Sequence, residues 1–337
     1  MKIGAIDTDR ETLIIAEVGN NHEGDPAVAS RLIGLAAEAG VQAVKFQTFR
    51  TESFVSPQDS ERFARMKRFE LSQEVFARLA EEAHRAGLLF ISTPLDLPSA
   101  HFLAGIADAI KIASGDNTFY PLIETVAKSG KPMIVSGGLA DLAELDHAVS
   151  LVGKIRRATA YPGDFALLHC VSAYPVPPEE ANLSAVRSLA RRYPDLTIGY
   201  SDHTQGTRAA ILAVAAGARI VEKHFTLDRN YSSFRDHQLS ADPAGLKQLV
   251  EEIREAETLL GDGVKKPSPT ELASLGAIRR SIAAARDLAP GQVVGPEDIV
   301  WLRPGTGFPP GEEREVLGRT MKTPILAGAL FSSDHLA

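Results

Sequence analysis

Cysteine, long apolar runs and excess positive charge are all scarce in this chain. A single cysteine, Cys170, among 337 residues excludes an internal disulfide and points to a reducing, cytoplasmic setting. Lysine and arginine total 36 against 43 acidic residues, a net charge of -7, so the basic footprint of a nucleic-acid binder is missing. A small anionic substrate is still allowed, because a pocket needs only a few local cations. No apolar run approaches the length that spans a bilayer, and the acidic residues ahead of Leu13 do not form a signal peptide. No membrane or nucleic-acid partner is expected. A glycine-rich dinucleotide fingerprint is also absent after the first strand-like run, Leu13–Val18.

What is present is a regular alternation. Residues are 44% hydrophobic, enough for a large core and two domains. Short apolar runs read as strands at Leu13–Val18, Ala43–Gln47, Leu88–Ser92, Ala109–Ala113, Pro132–Ser136, Phe165–Cys170, Leu196–Tyr200 and Ala218–His224. Amphipathic segments between them read as helices, several closing on a glycine such as Gly40, Gly87, Gly130 or Gly217. About eight βα units in roughly 250 residues is the proportion of a TIM (β/α)8 barrel, favoured over an open doubly wound sheet.

A barrel collects its chemistry at the C-terminal ends of its strands. Gly199-Tyr200-Ser201-Asp202-His203-Thr204 and Val221-Glu222-Lys223-His224-Phe225 end two successive strands, each with a histidine beside a carboxylate. An Ala-rich helix between them makes the two strands parallel neighbours, so both imidazoles emerge at one edge. Two such imidazoles can hold a divalent metal with positions open to substrate, or can simply hydrogen-bond within the rim. Lys45 and Lys111 lie inside apolar strand runs and need anionic company, either Glu17 and Glu222 or a bound anion. With hydroxyls and glycine amides at the same rim, they describe a site for phosphate and carboxylate.

Several stretches carry a family resemblance. These are Ile14-Ile15-Ala16-Glu17-Val18-Gly19-Asn20-Asn21-His22-Glu23-Gly24-Asp25, Ala43-Val44-Lys45-Phe46-Gln47-Thr48 and Phe90-Ile91-Ser92-Thr93-Pro94. Lys111–Asp116, Leu168–Pro175 and the two histidine stretches complete the series in order. The chain resembles the sialic acid (N-acetylneuraminate) synthase family from about Leu13 to its C-terminus.

That resemblance implies condensation of phosphoenolpyruvate with an N-acylated hexose, an amino-sugar aldehyde such as N-acetylmannosamine, to a nonulosonic acid and phosphate. Carried over by position, it implies that His203 and His224 ligate Mn2+ or a similar divalent ion. Lys45, Thr93, Lys111, Ser114, Ser136, Ser172 and Ser201 fall where the family contacts phosphoenolpyruvate. Gln47, Tyr174 and Asp236 fall where it meets the sugar, and Glu17, Asp116 and Glu222 where acid–base or orienting carboxylates stand. Two loops depart from the family pattern. Ser233-Phe234-Arg235 precede Asp236-His237 where Gly-Pro is usual, and Thr51–Leu71 is short. His237 reads as a supporting loop residue, and His84, His101, His147 and His335 as surface residues without carboxylate partners.

The tail reads as a second domain. Residues 261–275, rich in Gly, Pro and charge, are expected as a linker between a barrel over 1–260 and a small β-rich domain over 276–337. That domain resembles the antifreeze-like (SAF) domain of the same family. The resemblance implies a domain-swapped homodimer in which Arg303 reaches the sugar pocket of the other subunit. Alternatives are the same chemistry on a legionaminate- or pseudaminate-type sugar, a Schiff-base retro-aldol lyase using Lys45 or Lys111, and a non-catalytic carbohydrate-binding relative.

Overall fold

The computed structural model describes residues 1–159 and 163–337. It divides into two units, Met1–Gly261 and Asp262–Ala337. The first is the expected barrel. Its eight parallel strands are β1 (Leu13–Gly19), β2 (Ala43–Thr48), β3 (Leu89–Pro94), β4 (Ala109–Ile112), β5 (Met133–Ser136), β6 (Phe165–Cys170), β7 (Thr197–Asp202) and β8 (Ile220–His224). Each pairs with the next in sequence, and β8 closes onto β1 through the register His224↔Glu17. Every strand lies within two or three residues of its expected span.

Strand alternation separates two cores. Val44, Phe46, Phe90, Ile110, Ile112 and Val135 belong to the large layer shared with the surrounding helices. Their alternates Leu13, Ile15, Ala43, Ile91, Ala109, Ile134, Ala166, Leu168 and Ile220 fill the barrel interior, where Ile3 of a short N-terminal hairpin joins them. Followed toward the C-terminal end, the inward columns turn polar: Ile15 gives way to Glu17, Ala43 to Lys45, Ala109 to Lys111, Ile134 to Ser136 and Ile220 to Glu222. The apolar half holds the barrel shut, and the polar half is the floor of the site.

Two short helices, Thr51–Phe54 and Ser60–Phe69, follow β2. Phe49, Val55, Met66, Phe69 and Leu95 form a separate small core beneath them, with Phe234 packed against it. Gly24 fits tightly here: its φ is +86°, and a Cβ would lie 2.1 Å from the Arg68 carbonyl oxygen. Only glycine lets the loop after β1 meet the end of helix Ser60–Phe69. None of the described helices is long and apolar enough to cross a membrane.

In the second unit, Ser281–Ala284 pairs antiparallel with Ile299–Leu302 over a core of Ile282, Ala284, Leu288, Val294, Val316, Met321, Ile325 and Phe331. Trp301 stands outside that core and donates through Nε1 to Glu313 at 2.9 Å. The stretch read as a linker over 261–275 contains the start of a helix, Pro269–Ile278. Proline at its first turn and a capping box between Ser268 and Glu271 explain it, a start signal that the Pro-rich composition obscured.

Candidate active site

Four charged side chains meet inside the barrel, all at least 95% buried. Lys45 Nζ lies 2.9 Å from Glu222 Oε2 and 3.4 Å from Glu17 Oε2. Lys111 Nζ reaches Glu222 Oε2 at 3.3 Å. Ser201 donates to Glu222 Oε1 at 3.0 Å, and Gln47 Nε2 donates to Glu17 Oε1 at 3.3 Å. Of the two partners offered for the lysines by sequence, the chain supplies the internal carboxylates.

The two carboxylates are not equivalent. Burial pushes Glu17 up to about 7, against the pull of Lys45 and with the push of Glu222. Burial would raise Glu222 too, but Lys111, Lys45 and the hydrogen bonds from Lys45 and Ser201 outweigh it and hold the group well below the usual range. Glu222 is therefore held ionised as the counter-charge to both lysines, while Glu17 is raised toward neutrality. Lys111 is lowered by burial, whereas in Lys45 the two glutamates overcome burial and raise it.

Beside this cluster lies a set of hydroxyls. Thr93 Oγ1, Ser136 Oγ and Ser172 Oγ are buried without a hydrogen-bond partner among the described residues. Ser114 and Ser172 close round Gly138, where a Cβ would stand 2.6 Å and 2.5 Å from their Oγ atoms. Asn117, not singled out by sequence, anchors that turn by donating to the Ser136 and Gly138 carbonyls at 3.2 and 2.8 Å. Buried hydroxyls left unpaired cost free energy, so an acceptor-rich ligand is what this set suits.

The two histidines stand at the rim, their ring centroids 5.3 Å apart. His203 Nδ1 donates to the Val171 carbonyl at 2.8 Å, which in the neutral ring leaves Nε2 with the lone pair, while His224 Nδ1 is buried and has no partner among the described residues. Burial and the neighbouring His203 hold His224 well below the ordinary imidazole range, hence neutral. No group of three or more His, Cys, Asp or Glu gathers as a metal cage among the described residues. Tyr174 stacks on His203 at 4.2 Å between centroids, and the Arg235 guanidinium lies 4.8 Å from the Tyr174 ring centroid.

The carboxylate next to His203 faces elsewhere. Asp202 lies on the outer side of β7, where it pairs with Lys223 Nζ at 2.9 Å and accepts from Thr204 N, Thr204 Oγ1 and Tyr200 OH. Adjacent strand residues point to opposite faces, a rule that could have separated Asp202 from His203 in advance. Glu222 and His224, two apart, do share a face.

Asp116 sits half-buried in a turn after β4, pushed up to about 6 by burial, with no ion-pair partner among the described residues. Asp236 is raised by burial and lies 3.6 Å from Arg235 Nε. Asp236 and Gln47 line a cavity of about 880 Å³ above the mouth, together with Asn20, Glu23 and the arginines of helix Ser60–Phe69. His237 is fully buried and joins two loops, its Nε2 3.1 Å from Glu23 Oε1 and its Nδ1 2.6 Å from Thr226 Oγ1. Arg303 lies in the second unit, exposed, with Nε donating to the Ile278 carbonyl at 2.6 Å. His84, expected without a carboxylate partner, pairs with Asp108 at 2.8 Å, although it is at the surface as expected.

Residues 32–265 match the NeuB family model, and residues 279–337 match the SAF domain. The chain belongs to the NeuB family. It is 44% identical over 92% of its length to an uncharacterized protein of Methanocaldococcus jannaschii, covering 90% of that protein. It is 39% identical over 96% of its length to the N,N'-diacetyllegionaminic acid synthase of Legionella pneumophila, covering 94% of it. The crystal structure of an N-acetylneuraminic acid (sialic acid) synthetase from Leptospira borgpetersenii, in complex with citrate, superposes with a TM-score of 0.76. It is 37% identical, with 81% of this chain and 94% of that one covered. The NeuB family match and these synthases identify the chain as an enzyme and bear out the resemblance read from the strand-end motifs.

Proposed function

We propose that this NeuB-family enzyme condenses phosphoenolpyruvate with an N-acylated hexose, giving a nonulosonic acid and phosphate with cleavage of the phosphoenolpyruvate C–O bond. The observation that carries the reading is one barrel interior holding Lys45 and Lys111, three unpaired buried hydroxyls and two neighbouring imidazoles. Lys45, Lys111 and the hydroxyls of Thr93, Ser114, Ser136, Ser172 and Ser201 bind the phosphate and carboxylate of phosphoenolpyruvate. Gln47, Tyr174 and Asp236 orient the sugar.

His203 and His224 fit a divalent ion such as Mn2+: the Val171 carbonyl holds His203 through Nδ1 and leaves its Nε2 available, and His224 Nδ1 is buried without a partner among the described residues. When bound there, the ion supplies Lewis acidity at the aldehyde oxygen of the sugar. Glu17 accepts a proton from the water that adds at C2, because its affinity for protons lies near working pH. Glu222 stays ionised and holds both lysines in place, and Asp116 supplies a second carboxyl at the phosphate side. The swapped homodimer, with Arg303 reaching the sugar pocket of the other subunit, belongs to the same proposal.

The test is phosphate release from phosphoenolpyruvate with Mn2+ and a panel of N-acylated hexoses, each with an EDTA control. Metal-dependent release with at least one sugar is expected. Absence of release together with absence of phosphoenolpyruvate binding by calorimetry would favour the non-catalytic carbohydrate-binding alternative.

A further inference from the structure

Gln47 is held at both ends of its carboxamide. Its Nε2 donates to Glu17 Oε1 at 3.3 Å, and its Oε1 accepts from Asn20 Nδ2 at 2.7 Å. With Glu17 ionised and accepting, one orientation satisfies both bonds. The Gln47 nitrogen faces Glu17, its oxygen faces Asn20, and the Asn20 nitrogen faces Gln47. Asn20 Oδ1 is then the free end of a three-residue chain that begins at Glu17. The backbone is shaped for this chain. The register of β1 against β2 shifts between Glu17 and Gly19, and such irregularities re-aim side chains. Gly19 has φ +53°, and a Cβ there would stand 3.2 Å from Glu17 Oε1 and 3.4 Å from Gln47 Nε2.

The free end belongs to the mouth of the barrel. Asn20 is 5% exposed, and its Oδ1 is buried without a partner among the described residues. Asn20, Gln47 and Asp236 line the same 880 Å³ cavity, and Asp236 Oδ1 is likewise buried without a hydrogen-bond partner. Arg235 Nε stands 3.6 Å from it, beyond hydrogen-bonding reach. A buried oxygen that lacks a donor costs free energy, which a ligand's donor would recover. Two such oxygens in one cavity suit a molecule that brings hydroxyl or amide N–H groups.

We propose that Asn20 is a further acceptor-binding residue. Its Oδ1, together with Asp236, accepts hydrogen bonds from hydroxyl or N–H groups of the sugar, and its Nδ2 carries that contact through Gln47 to Glu17. A bound sugar thereby holds Gln47, and Gln47 holds the Glu17 carboxylate in the orientation that receives a proton. The inference rests on the synthase reading above and adds a link between the acceptor and the base.

The experiment measures kcat and KM for N-acetylmannosamine and for 2,4-diacetamido-2,4,6-trideoxymannose, in the full chain with Mn2+ and phosphoenolpyruvate. Asn20→Leu removes both ends of the amide at similar volume. The acceptor KM should rise about tenfold and kcat fall about tenfold, with the KM of phosphoenolpyruvate within about twofold of the parent. Asn20→Asp keeps an oxygen for the sugar but has no N–H for Gln47, so kcat should fall about tenfold with a smaller rise in the acceptor KM. In a Gln47→Leu background Asn20→Asp should lower kcat no further, which a purely structural role would not produce. An acceptor KM unchanged in Asn20→Leu would overturn the proposal while leaving the synthase reading standing. An equal rise in the KM of both substrates would also overturn it, making Asn20 a structural residue. Additive kcat losses in the double variant would overturn the link to Glu17. No phosphate release by the parent protein with either sugar would overturn this inference and the synthase reading together.

Discussion

Two buried ionic groups lie back to back across the wall of the barrel. Outside, Lys223 meets Asp202, whose oxygens also take three further hydrogen bonds from Thr204 and Tyr200. Inside, Lys45 and Lys111 share Glu222, with Glu17 also beside Lys45, while the hydroxyls of Thr93, Ser136 and Ser172 nearby have no partner among the described residues. The outer pair is one cation, one anion and a full complement of donors, which is what a fold-stabilising pair requires. The inner group is two cations set against one firmly ionised carboxylate and one poised near 7, with spare hydroxyls. The difference separates a pair that holds two strands together from a cluster whose cations and spare hydroxyls suit an anion.

Substitutions sharpen that comparison, and the largest effect is expected at the histidines. His203→Ala should abolish phosphate release, by a factor above about 10³, while circular dichroism reports an intact fold. Activity retained by metal-stripped His203→Ala protein would break the metal assignment.

Next comes the proton exchanger. Glu17→Gln should lower kcat by a factor of about 10² to 10⁴. As a base, Glu17 works when deprotonated. With its group raised to about 7, kcat/KM for phosphoenolpyruvate should climb as pH rises through that value and level off above it. The climb should vanish in Glu17→Gln; a profile unchanged by the substitution would move the role to Asp116.

Gly138→Ala tests the unpaired hydroxyls. The added Cβ would clash with Ser114 and Ser172, so the KM of phosphoenolpyruvate should rise about tenfold with a smaller change for the sugar. The smallest effect is expected at His237→Gln. It loosens Glu23 and the loop carrying Asp236, so the sugar KM should rise severalfold while that of phosphoenolpyruvate is unmoved. Equal changes in both would make His237 a structural residue only.

Much of this was legible before the structure. Eight strands could be placed because each is a short apolar run, four of them after a helix closing on glycine, and the barrel rule then located Glu17, Lys45, Lys111, Ser136, Ser201, Glu222 and the histidines together. What escaped depended on contacts between distant segments or on direction. Asp202 looked like a companion of His203 because it is adjacent in sequence, yet adjacency in a strand puts it on the other face. The Glu23–His237 link joins residues more than two hundred positions apart, and Asn117 carries its hydrogen bonds inside a loop with no periodic signature. Helix Pro269–Ile278 was hidden by the composition of its start, where proline serves as a helix opener.

The claim that the inner group serves a ligand and the outer pair serves the fold is tested most directly by measuring urea unfolding and phosphoenolpyruvate binding for Lys111→Met and Lys223→Met side by side. Lys223→Met should cost about 3–5 kcal/mol of stability, because it strands the buried Asp202 charge. Lys111→Met should leave the unfolding midpoint unchanged or higher and lose phosphoenolpyruvate binding by calorimetry. Equal destabilisation by the two variants, with binding preserved in Lys111→Met, would contradict the account.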